Sequence, residues 1–218
     1  MKSVEISDRI KYIEDVFVKE TELMKNIAKQ LEEDKKAIQV SPYEGKILRQ
    51  LVQMNKPKNV VEIGSLYGYS LSWILEGVDD EAKVWSVENS KENFDKSISN
   101  INIHNKHNQA QLVHSSGLDF LEKWDKKEKI DFLFIDADKG NYLNYLKLAE
   151  PYLSKGSVVV GDNTFLFGHV LSDEPPENYS KNTWLKMREF NSILGGSTGE
   201  YTGMMLPTLQ GMSIGIKN

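Results

Sequence analysis

The feature that most limits how this chain can fold is a series of short apolar runs, each of which ends in a glycine or a polar side chain. The runs are rich in β-branched and aromatic residues, and longer stretches with a helical pattern separate them. Strands that are apolar throughout are typical of parallel sheets, because helices cover both faces of such sheets. We therefore predict an α/β fold with a mostly parallel central sheet. Its strands are predicted at Val60–Ile63, Val84–Val87, Gln111–Val113, Ile130–Ile135 and Ser157–Val160.

The start of the chain has a helical pattern instead. Apolar residues recur there at three- and four-residue spacing, which places them on one face of a helix. They are Ile6, Ile10, Ile13 and Phe17. Further on, Ser41, Pro42 and Glu44 stand as N-cap, first and third helical residue, which is a capping-box signature. This pattern predicts a helix that ends before Pro57.

The end of the chain predicts a hairpin. Tyr201–Leu206 and Met212–Ile216 are two strand-like runs joined by a short turn. We expect them to form an antiparallel pair added to the parallel sheet. The whole chain, residues 1–218, is then predicted to be a single domain, with an N-terminal helical cap (1–57) and an α/β core (58–218).

Composition excludes several classes of protein. The chain of 218 residues has 32 acidic and 27 basic side chains and a net charge of −5, which argues against a nucleic-acid binder. It has no cysteine, so disulfides, thiolate zinc sites and cysteine nucleophiles are excluded. The longest apolar runs are far shorter than the ~20 residues that span a bilayer. We expect a cytoplasmic protein with no nucleic-acid or membrane partner.

The polar residues at the strand ends are expected to meet at one edge of the sheet. In open α/β sheets, ligands bind outside the carboxyl ends of the strands. Gly64 and Gly68 form a G-x-x-x-G turn that does not match the dinucleotide fingerprint. Glu88 closes the next strand, where an acid commonly binds ribose hydroxyls. Together they predict an adenosine-type ligand without specifying NAD.

Glu62 is an acid inside an apolar strand. Burial of an unpaired carboxylate is costly, so this side chain requires a partner. We expect either a cationic group of the ligand or a backbone N–H.

A second polar group follows the last two parallel strands. Asp136, Asp162 and Asn163 offer hard oxygen ligands, which suit Mg²⁺, Ca²⁺ or Mn²⁺ better than zinc. Each acid taken alone is equally well explained as a helix cap or a partner of a helix dipole. Lys139 lies three residues after Asp136 and could act as a general base beside a cation.

Taken together, these segments resemble the cation-dependent class I O-methyltransferases. That family includes caffeoyl-coenzyme A O-methyltransferase and, more distantly, catechol O-methyltransferase. The resemblance covers most of the chain and is carried by Gln39–Gly45, Val61–Ser70, Phe134–Tyr142 and Gly161–Thr164. It implies a single-domain Rossmann-like methyltransferase fold.

The resemblance also implies a set of site residues. An S-adenosylmethionine pocket would use Val40, Glu62, Gly64, Ser65, Ser70, Glu88, Gly117 and Asp138. The metal ligands would be Asp136, Asp162 and Asn163, with Mg²⁺ as the first choice and Ca²⁺ or Mn²⁺ as alternatives. Lys139, together with Asp136, would be catalytic, and Lys2 stands where plant members have a lysine that contacts substrate.

The reaction implied is methyl transfer to a hydroxyl of a vicinal dihydroxy aromatic compound. This phenolic small molecule could be a coenzyme A ester, and the family's habit suggests a homodimer. Phe165, Phe167 and Trp184 are candidates for apolar walls of the site, and ordinary core or dimer packing explains them equally well. The stretch Phe165–Gly168 departs from the plant pattern of a tryptophan and a substrate-contacting asparagine, so the acceptor stays open.

Other enzyme classes fit the sequence less well. A nicotinamide dehydrogenase would need G-x-G-x-x-G, which is absent, and a phosphoryl-transfer aspartate would need a phosphate loop. An RNA methyltransferase is disfavoured by the net charge. A catalytically silent scaffold that binds S-adenosylmethionine, or a methyltransferase for an unrelated acceptor, stays open.

Overall fold

The structure is a computed structural model, and it describes residues 6–124, 128–175, 177 and 179–218. Lys2, which the resemblance places near the substrate, lies outside the described residues.

A seven-stranded sheet forms the centre of the described part of the chain. The strands are β1 (Asn59–Ile63), β2 (Lys83–Glu88), β3 (Ala110–His114), β4 (Ile130–Ile135), β5 (Leu153–Asp162), β6 (Tyr201–Leu206) and β7 (Met212–Lys217). Their order is β3-β2-β1-β4-β5-β7-β6. The first five strands are parallel to one another, while β7 runs antiparallel to both β5 and β6. The predicted α/β fold, with its mostly parallel sheet and its hairpin, is confirmed.

Helices precede the sheet and connect its strands. They are α1 (Ile6–Phe17), α2 (Glu22–Glu33), α3 (Pro42–Asn55), α4 (Tyr69–Gly77), α5 (Lys91–Ile101), α6 (Gly117–Glu122), α7 (Tyr142–Ala149) and α8 (Lys181–Leu194). None of these described helices is both long and apolar enough to cross a membrane. The division into a helical cap and a core within one domain stays a prediction.

Two hydrophobic clusters pack against the two faces of the sheet. Along β4, Phe132 and Phe134 belong to one cluster, whereas Leu133 and Ile135 belong to the other. Successive side chains of a strand point to opposite faces, so a strand covered on both sides must be apolar at every position. This is the physical reason that the apolar runs of the sequence mark the central strands.

The start of α3 forms the predicted capping box. The hydroxyl of Ser41 accepts a hydrogen bond from the backbone N–H of Glu44 at 3.2 Å, and Glu44 Oε2 accepts one from the N–H of Ser41 at 2.8 Å. The reciprocal pair satisfies two donors that the helix leaves free. It also fixes where the chain enters α3, immediately after Val40.

Candidate functional site

A cavity of about 380 Å³ opens at the carboxyl ends of the parallel strands. Its volume is within the range of pockets that hold small ligands. Ten of the residues predicted for the site line it, namely Val40, Gly64, Ser65, Ser70, Glu88, Gly117, Asp136, Asp138, Lys139 and Asn163. Two of the predicted residues, Glu62 and Asp162, lie behind the lining. The strand ends therefore converge as the sequence predicts.

Several residues that line the cavity are not among the site residues predicted from the sequence. Among them are Ile38, Gln39, Leu66, Tyr69, Asn89, Asn93, Ala137 and Tyr145. Most lie one or two positions from a predicted residue, so a wider window around each motif would have included them. Tyr145 comes from the interior of α7, where nothing in the local pattern separates it from a core residue.

The turn between β1 and α4 brings two strand ends very close. Gly64 has a φ of 103°, and a Cβ placed on it would lie 1.9 Å from the carbonyl oxygen of Asp136. Its N–H donates to the carbonyl of Val87 at 2.9 Å. Only glycine fits a position that combines this backbone conformation with this contact. The glycine thus allows the ends of β1 and β4 to approach each other closely beside the cavity.

Glu88 is oriented by the backbone around it. Its Oε2 accepts a hydrogen bond from the N–H of Leu66, and its Oε1 accepts one from the N–H of Ser90, both at 2.8 Å. Each carboxylate oxygen has a second lone pair. The side chain therefore still has acceptor capacity towards a ligand in the cavity.

Glu62 is completely buried and its carboxylate is held by two serines. Ser70 donates its hydroxyl to Oε1 at 2.6 Å, and Ser86 donates its hydroxyl to Oε2. Among the described residues these hydroxyls from α4 and β2 are the partners, in place of the expected backbone N–H, and a contact with a cationic group of the ligand stays a prediction. Burial raises the pKa of Glu62 to about 7, although the two hydroxyls act in the opposite direction. Glu62 anchors Ser70, which itself lines the cavity.

Asp138 and Gly117 lie where α7 meets α6. The carboxylate of Asp138 accepts hydrogen bonds from the hydroxyl of Tyr145 and from the side-chain amide of Asn141. A Cβ at Gly117 would lie 2.5 Å from Ile63 Cγ2 and 2.8 Å from the ring of Tyr145. The lack of a side chain at Gly117 leaves this part of the cavity open.

Asp162 carries an unsatisfied buried acceptor. Its side chain is 1% exposed, and Oδ1 has no hydrogen-bond partner among the described residues. Asn163 donates its side-chain amide to Oδ2 at 3.0 Å and has a φ of 54°. Burial, and then the charges of Asp136 and Glu44, raise the pKa of Asp162. Buried acceptors without a partner are rare in native proteins and call for an explanation such as a missing ion.

These oxygen atoms fit a hard divalent cation. Asp136, Asp162 and Asn163 supply two carboxylates and an amide, which is the chemistry that Mg²⁺, Ca²⁺ and Mn²⁺ prefer. A cation would give Asp162 Oδ1 a partner and offset the repulsion from Asp136. Within the described residues, no group of three or more His, Cys, Asp or Glu side chains is arranged to hold a metal ion. The fit therefore depends on the amide of Asn163 as the third ligand.

Lys139 lies between Asp136 and Tyr142. Its Nζ is 3.1 Å from Asp136 Oδ1 and 2.7 Å from the hydroxyl oxygen of Tyr142. Tyr142 in turn donates its hydroxyl to the backbone carbonyl of Asp162 at 2.8 Å. Burial, with the nearby charges of Asp136 and Asp162, raises the pKa of Tyr142, so the phenol keeps its proton. The sequence analysis assigned no role to Tyr142.

The rim of the cavity is aromatic. Phe167 lines the cavity, is 54% exposed, and stacks on Tyr179 with ring centroids 6.4 Å apart and planes inclined by 13°. Phe165 and Trp184 do not line the cavity. Phe165 packs against Gly211, and the buried Trp184 donates its indole N–H to the carbonyl of His169 at 3.0 Å. Of the three apolar walls predicted, the structure places only Phe167 at the site.

Comparisons with known proteins agree with this arrangement. A model of the O-methyltransferase family matches residues 14–214. A catechol O-methyltransferase of Niastella koreensis is 29% identical over 92% of this chain and 93% of its own length. A caffeoyl-CoA O-methyltransferase of Stellaria longipes is also 29% identical, over 83% of this chain and 77% of its own length.

Solved structures show the same fold. An O-methyltransferase from Bacillus cereus, crystallised in complex with SAH, superposes with a TM-score of 0.83 at 28% identity, covering 95% of this chain and 96% of that one. An O-methyltransferase from Streptomyces achromogenes in complex with SAM superposes with a TM-score of 0.85 at 22% identity, covering 99% of this chain and all of the other, and shares the fold.

Proposed function

Because the chain belongs to the O-methyltransferase family, we propose that it transfers a methyl group from S-adenosylmethionine to one hydroxyl of a vicinal dihydroxy aromatic compound, with a divalent cation bound. Mg²⁺ is the first choice of cation. The observation that carries the proposal is the cavity at the strand ends, which has Glu88, the acid expected to bind ribose, on one side and the unsatisfied Asp162 Oδ1 behind the other.

The cofactor half of the cavity suits an adenosine-type ligand. Glu88 offers acceptors to the ribose hydroxyls, and the open space beside Gly117 suits the adenine ring. Gly64 and Ser65 lie beside the β1–α4 turn, where the methionine portion would sit, and Ser65 is held by a hydrogen bond of 2.9 Å to Ser97. The Bacillus cereus relative was crystallised with SAH, which supports this half of the proposal.

Asp136, Asp162 and Asn163 would hold the cation. A divalent cation, when bound, supplies positive charge that favours ionisation of a hydroxyl beside it. The two carboxylates lie at the ends of adjacent parallel strands, so the sheet itself sets their separation.

The chain's own residues would then move the proton and align the reactants. Lys139 Nζ accepts the proton of the acceptor hydroxyl, and the electron pair of that O–H bond stays on oxygen. The oxygen forms a bond to the methyl carbon while the carbon–sulfur bond breaks and its electron pair passes to sulfur. Two opposite charges are lost in this step. Positioning is the main contribution left to the protein, and well-aligned reactants recover ~7–11 kcal/mol of the barrier.

The rim favours an aromatic acceptor. Phe167 presents an exposed ring beside Asn163 and Lys139, all three of which line the cavity. Aromatic rings attract one another in stacked or edge-to-face arrangements, worth ~0.5–1.5 kcal/mol beyond burial. An aromatic diol could therefore rest against Phe167 with its hydroxyls towards Asp136.

Turnover tests the proposal directly. The wild-type protein should methylate catechol but not phenol, because phenol lacks the second oxygen, and a chelator should abolish the activity until Mg²⁺ is restored. Asp162→Ala should reduce turnover by about 100-fold or more, since it removes a predicted cation ligand, while SAH affinity measured by calorimetry stays near normal. Asp80→Ala is the matched control, because the side chain of Asp80 is 96% exposed. Wild-type turnover by Asp162→Ala, or turnover that survives the chelator, would contradict the metal assignment.

A further inference from the structure

Tyr142 is the buried polar residue nearest the proposed base that the proposed function leaves unused. It begins α7, is 0% exposed, and its hydroxyl touches both Lys139 and the backbone of Asp162. A buried phenol is costly unless its hydroxyl is hydrogen-bonded, and Tyr142 meets this condition through contacts that join the proposed base to the sheet.

The directions of these hydrogen bonds follow from counting hydrogen atoms. A phenol has a single O–H hydrogen, and Tyr142 donates it to the carbonyl oxygen of Asp162 at 2.8 Å. Towards Lys139, 2.7 Å away, the phenol oxygen can therefore only accept. The Oδ1 atom of the Asp136 carboxylate, 3.1 Å from Nζ, is an acceptor as well.

Besides its bond to Cε, Lys139 Nζ has three positions around it. Two of them thus carry N–H groups that donate hydrogen bonds to Asp136 and Tyr142. Under the proposed function, the third position is the one that faces the hydroxyl of the acceptor. Lys139 lines the cavity, so this position is left for the acceptor side of the site. Without the phenol oxygen, the nitrogen could turn about its Cε bond and direct its lone pair away from the substrate.

The tyrosine is itself held firmly. Its ring packs edge to face against Phe190, with centroids 5.4 Å apart and planes at 81°. Lys139 Nζ lies 4.9 Å from the centroid of the same ring, which adds a cation–π attraction. The carbonyl that receives the phenol hydrogen belongs to the end of β5 and is part of the sheet. Through its hydroxyl, Tyr142 therefore couples the rotamer of Lys139 to the end of β5.

We propose that Tyr142 is a positioning residue, which directs the proton-accepting position of Lys139 Nζ into the cavity. This inference rests on the proposed function, in which the acceptor O–H bond breaks, an N–H bond forms on Lys139, and the oxygen keeps the electron pair. Tyr142 itself gains and loses no proton in the step.

Tyr142→Phe tests this with kinetics, because it keeps the ring and removes only the hydroxyl. We expect kcat on catechol to fall by about 10- to 100-fold, with the KM for catechol and the affinity for SAH each within about two-fold of wild type. The loss should shrink on 4-nitrocatechol, whose hydroxyl ionises with less help from a base. An equal loss on both acceptors, or a kcat within two-fold of wild type on catechol, would overturn the inference.

Tyr201→Phe is the matched control. Tyr201 is also buried, and its hydroxyl donates to Glu150 in another part of the fold. The control should melt at about the same temperature as Tyr142→Phe and keep wild-type kcat. A similar kcat loss in both variants would mean that the hydroxyl of Tyr142 matters only for packing, and the inference would fail.

A crystal structure of Tyr142→Phe supplies a readout that does not depend on turnover. We expect Lys139 Nζ to leave its wild-type place or to occupy more than one rotamer. If Nζ stays single and unmoved, Tyr142 does not position it. A wild-type protein that fails to methylate catechol would instead count against the proposed function, and the crystal structure would still decide the role of Tyr142.

Discussion

At the scale of single residues, Glu62 shows how burial and hydrogen bonds act in opposite directions on the pKa of a carboxyl group. An acid in the middle of a buried strand demands a partner, and the structure provides the hydroxyls of Ser70 and Ser86. Hydroxyl donors stabilise the ionised form less than a full positive charge would, so the effect of burial prevails and raises the pKa of Glu62 to about 7.

This raised pKa makes stability depend on pH. The folded protein holds the proton of Glu62 up to about pH 7, whereas the unfolded chain releases it near its ordinary value of 4.5. The stabilisation is therefore complete below pH 4.5 and is lost as the pH rises through about 7. In urea unfolding, this group should lower the free energy of unfolding of the wild type by on the order of 2 kcal/mol between pH 5 and pH 8. Glu62→Gln should lack that loss.

Glu33→Gln provides the comparison, because Glu33 is an exposed acid on α2. Its dependence of stability on pH should match that of the wild type. The assignment to Glu62 fails if Glu62→Gln loses as much stability between the two pH values as the wild type does.

At the scale of elements, the connections after the strands shape the cavity. The segment after β5 contains Leu166, Phe167 and Gly168 in succession at positive φ. Such conformations cost about 1–2 kcal/mol for residues with a side chain. Backbone hydrogen bonds hold the segment, with the N–H of Phe165 donating to the carbonyl of Gln210 at 2.9 Å. Backbone strain that the surroundings maintain is characteristic of functional sites, and this segment carries Phe167, which lines the cavity.

The β1–α4 turn allows a quantitative prediction. Gly64→Ala should lower the free energy of unfolding by roughly 2–5 kcal/mol, since overpacking costs ~1–3 kcal/mol and positive φ adds ~1–2 kcal/mol. The added Cβ would press on the carbonyl of Asp136. Gly156→Ala is the control, because Gly156 has a φ of 88° with no atom near its Cβ position. Gly156→Ala should lower the free energy of unfolding only by the cost of the positive φ, about 1–2 kcal/mol. Equal losses in chemical denaturation would show that the contact with Asp136 is unimportant.

At the scale of the whole molecule, the cavity joins parts of the chain that are far apart in sequence. Residues from Ile38 to Phe167 line it, so a bound ligand connects the segment before α3, the sheet and the segment after β5. A ligand that binds only the folded protein raises its stability in proportion to the logarithm of ligand concentration.

The homodimer and the cytoplasmic location stay predictions.

Thermal melting should reveal this linkage. SAH at about 100 times its Kd adds ~2.7 kcal/mol, which should raise the Tm by roughly 5–11 °C for a chain of this size. NAD at the same concentration should leave the Tm unchanged, because the G-x-x-x-G turn does not match a dinucleotide site. Glu88→Ala should weaken the SAH shift, since it removes the acceptor proposed for the ribose hydroxyls. A shift with NAD and none with SAH would reverse the cofactor assignment.

Much of the fold and part of the site follow from the sequence alone. Ile130–Ile135 and Tyr201–Leu206 were predicted to the residue, and the strand ends carry Gly64, Glu88 and Asp136 to the cavity as expected. These features depend on periodicity, on strand ends and on helix caps, all of which involve neighbours in sequence. β5 starts earlier than predicted, at Leu153, because Ser154, Lys155 and Gly156 interrupt the apolar pattern after Leu153, and the last two of them are exposed.

Only the tertiary structure decided which polar atoms meet. Glu62 is satisfied by Ser86 from a neighbouring strand, Tyr142 joins Lys139 to the end of β5, and Asp162 Oδ1 has no partner in the described chain. Trp184 turned into the core, while Phe167 reached the rim. The reason is that a hydrogen bond forms only if donor and acceptor are placed to within a few tenths of an ångström. Here the donors and acceptors belong to segments that are far apart in the sequence and meet only in the folded chain. The sequence by itself determines the sheet and the edge where ligands bind, and packing determines the contacts made at that edge.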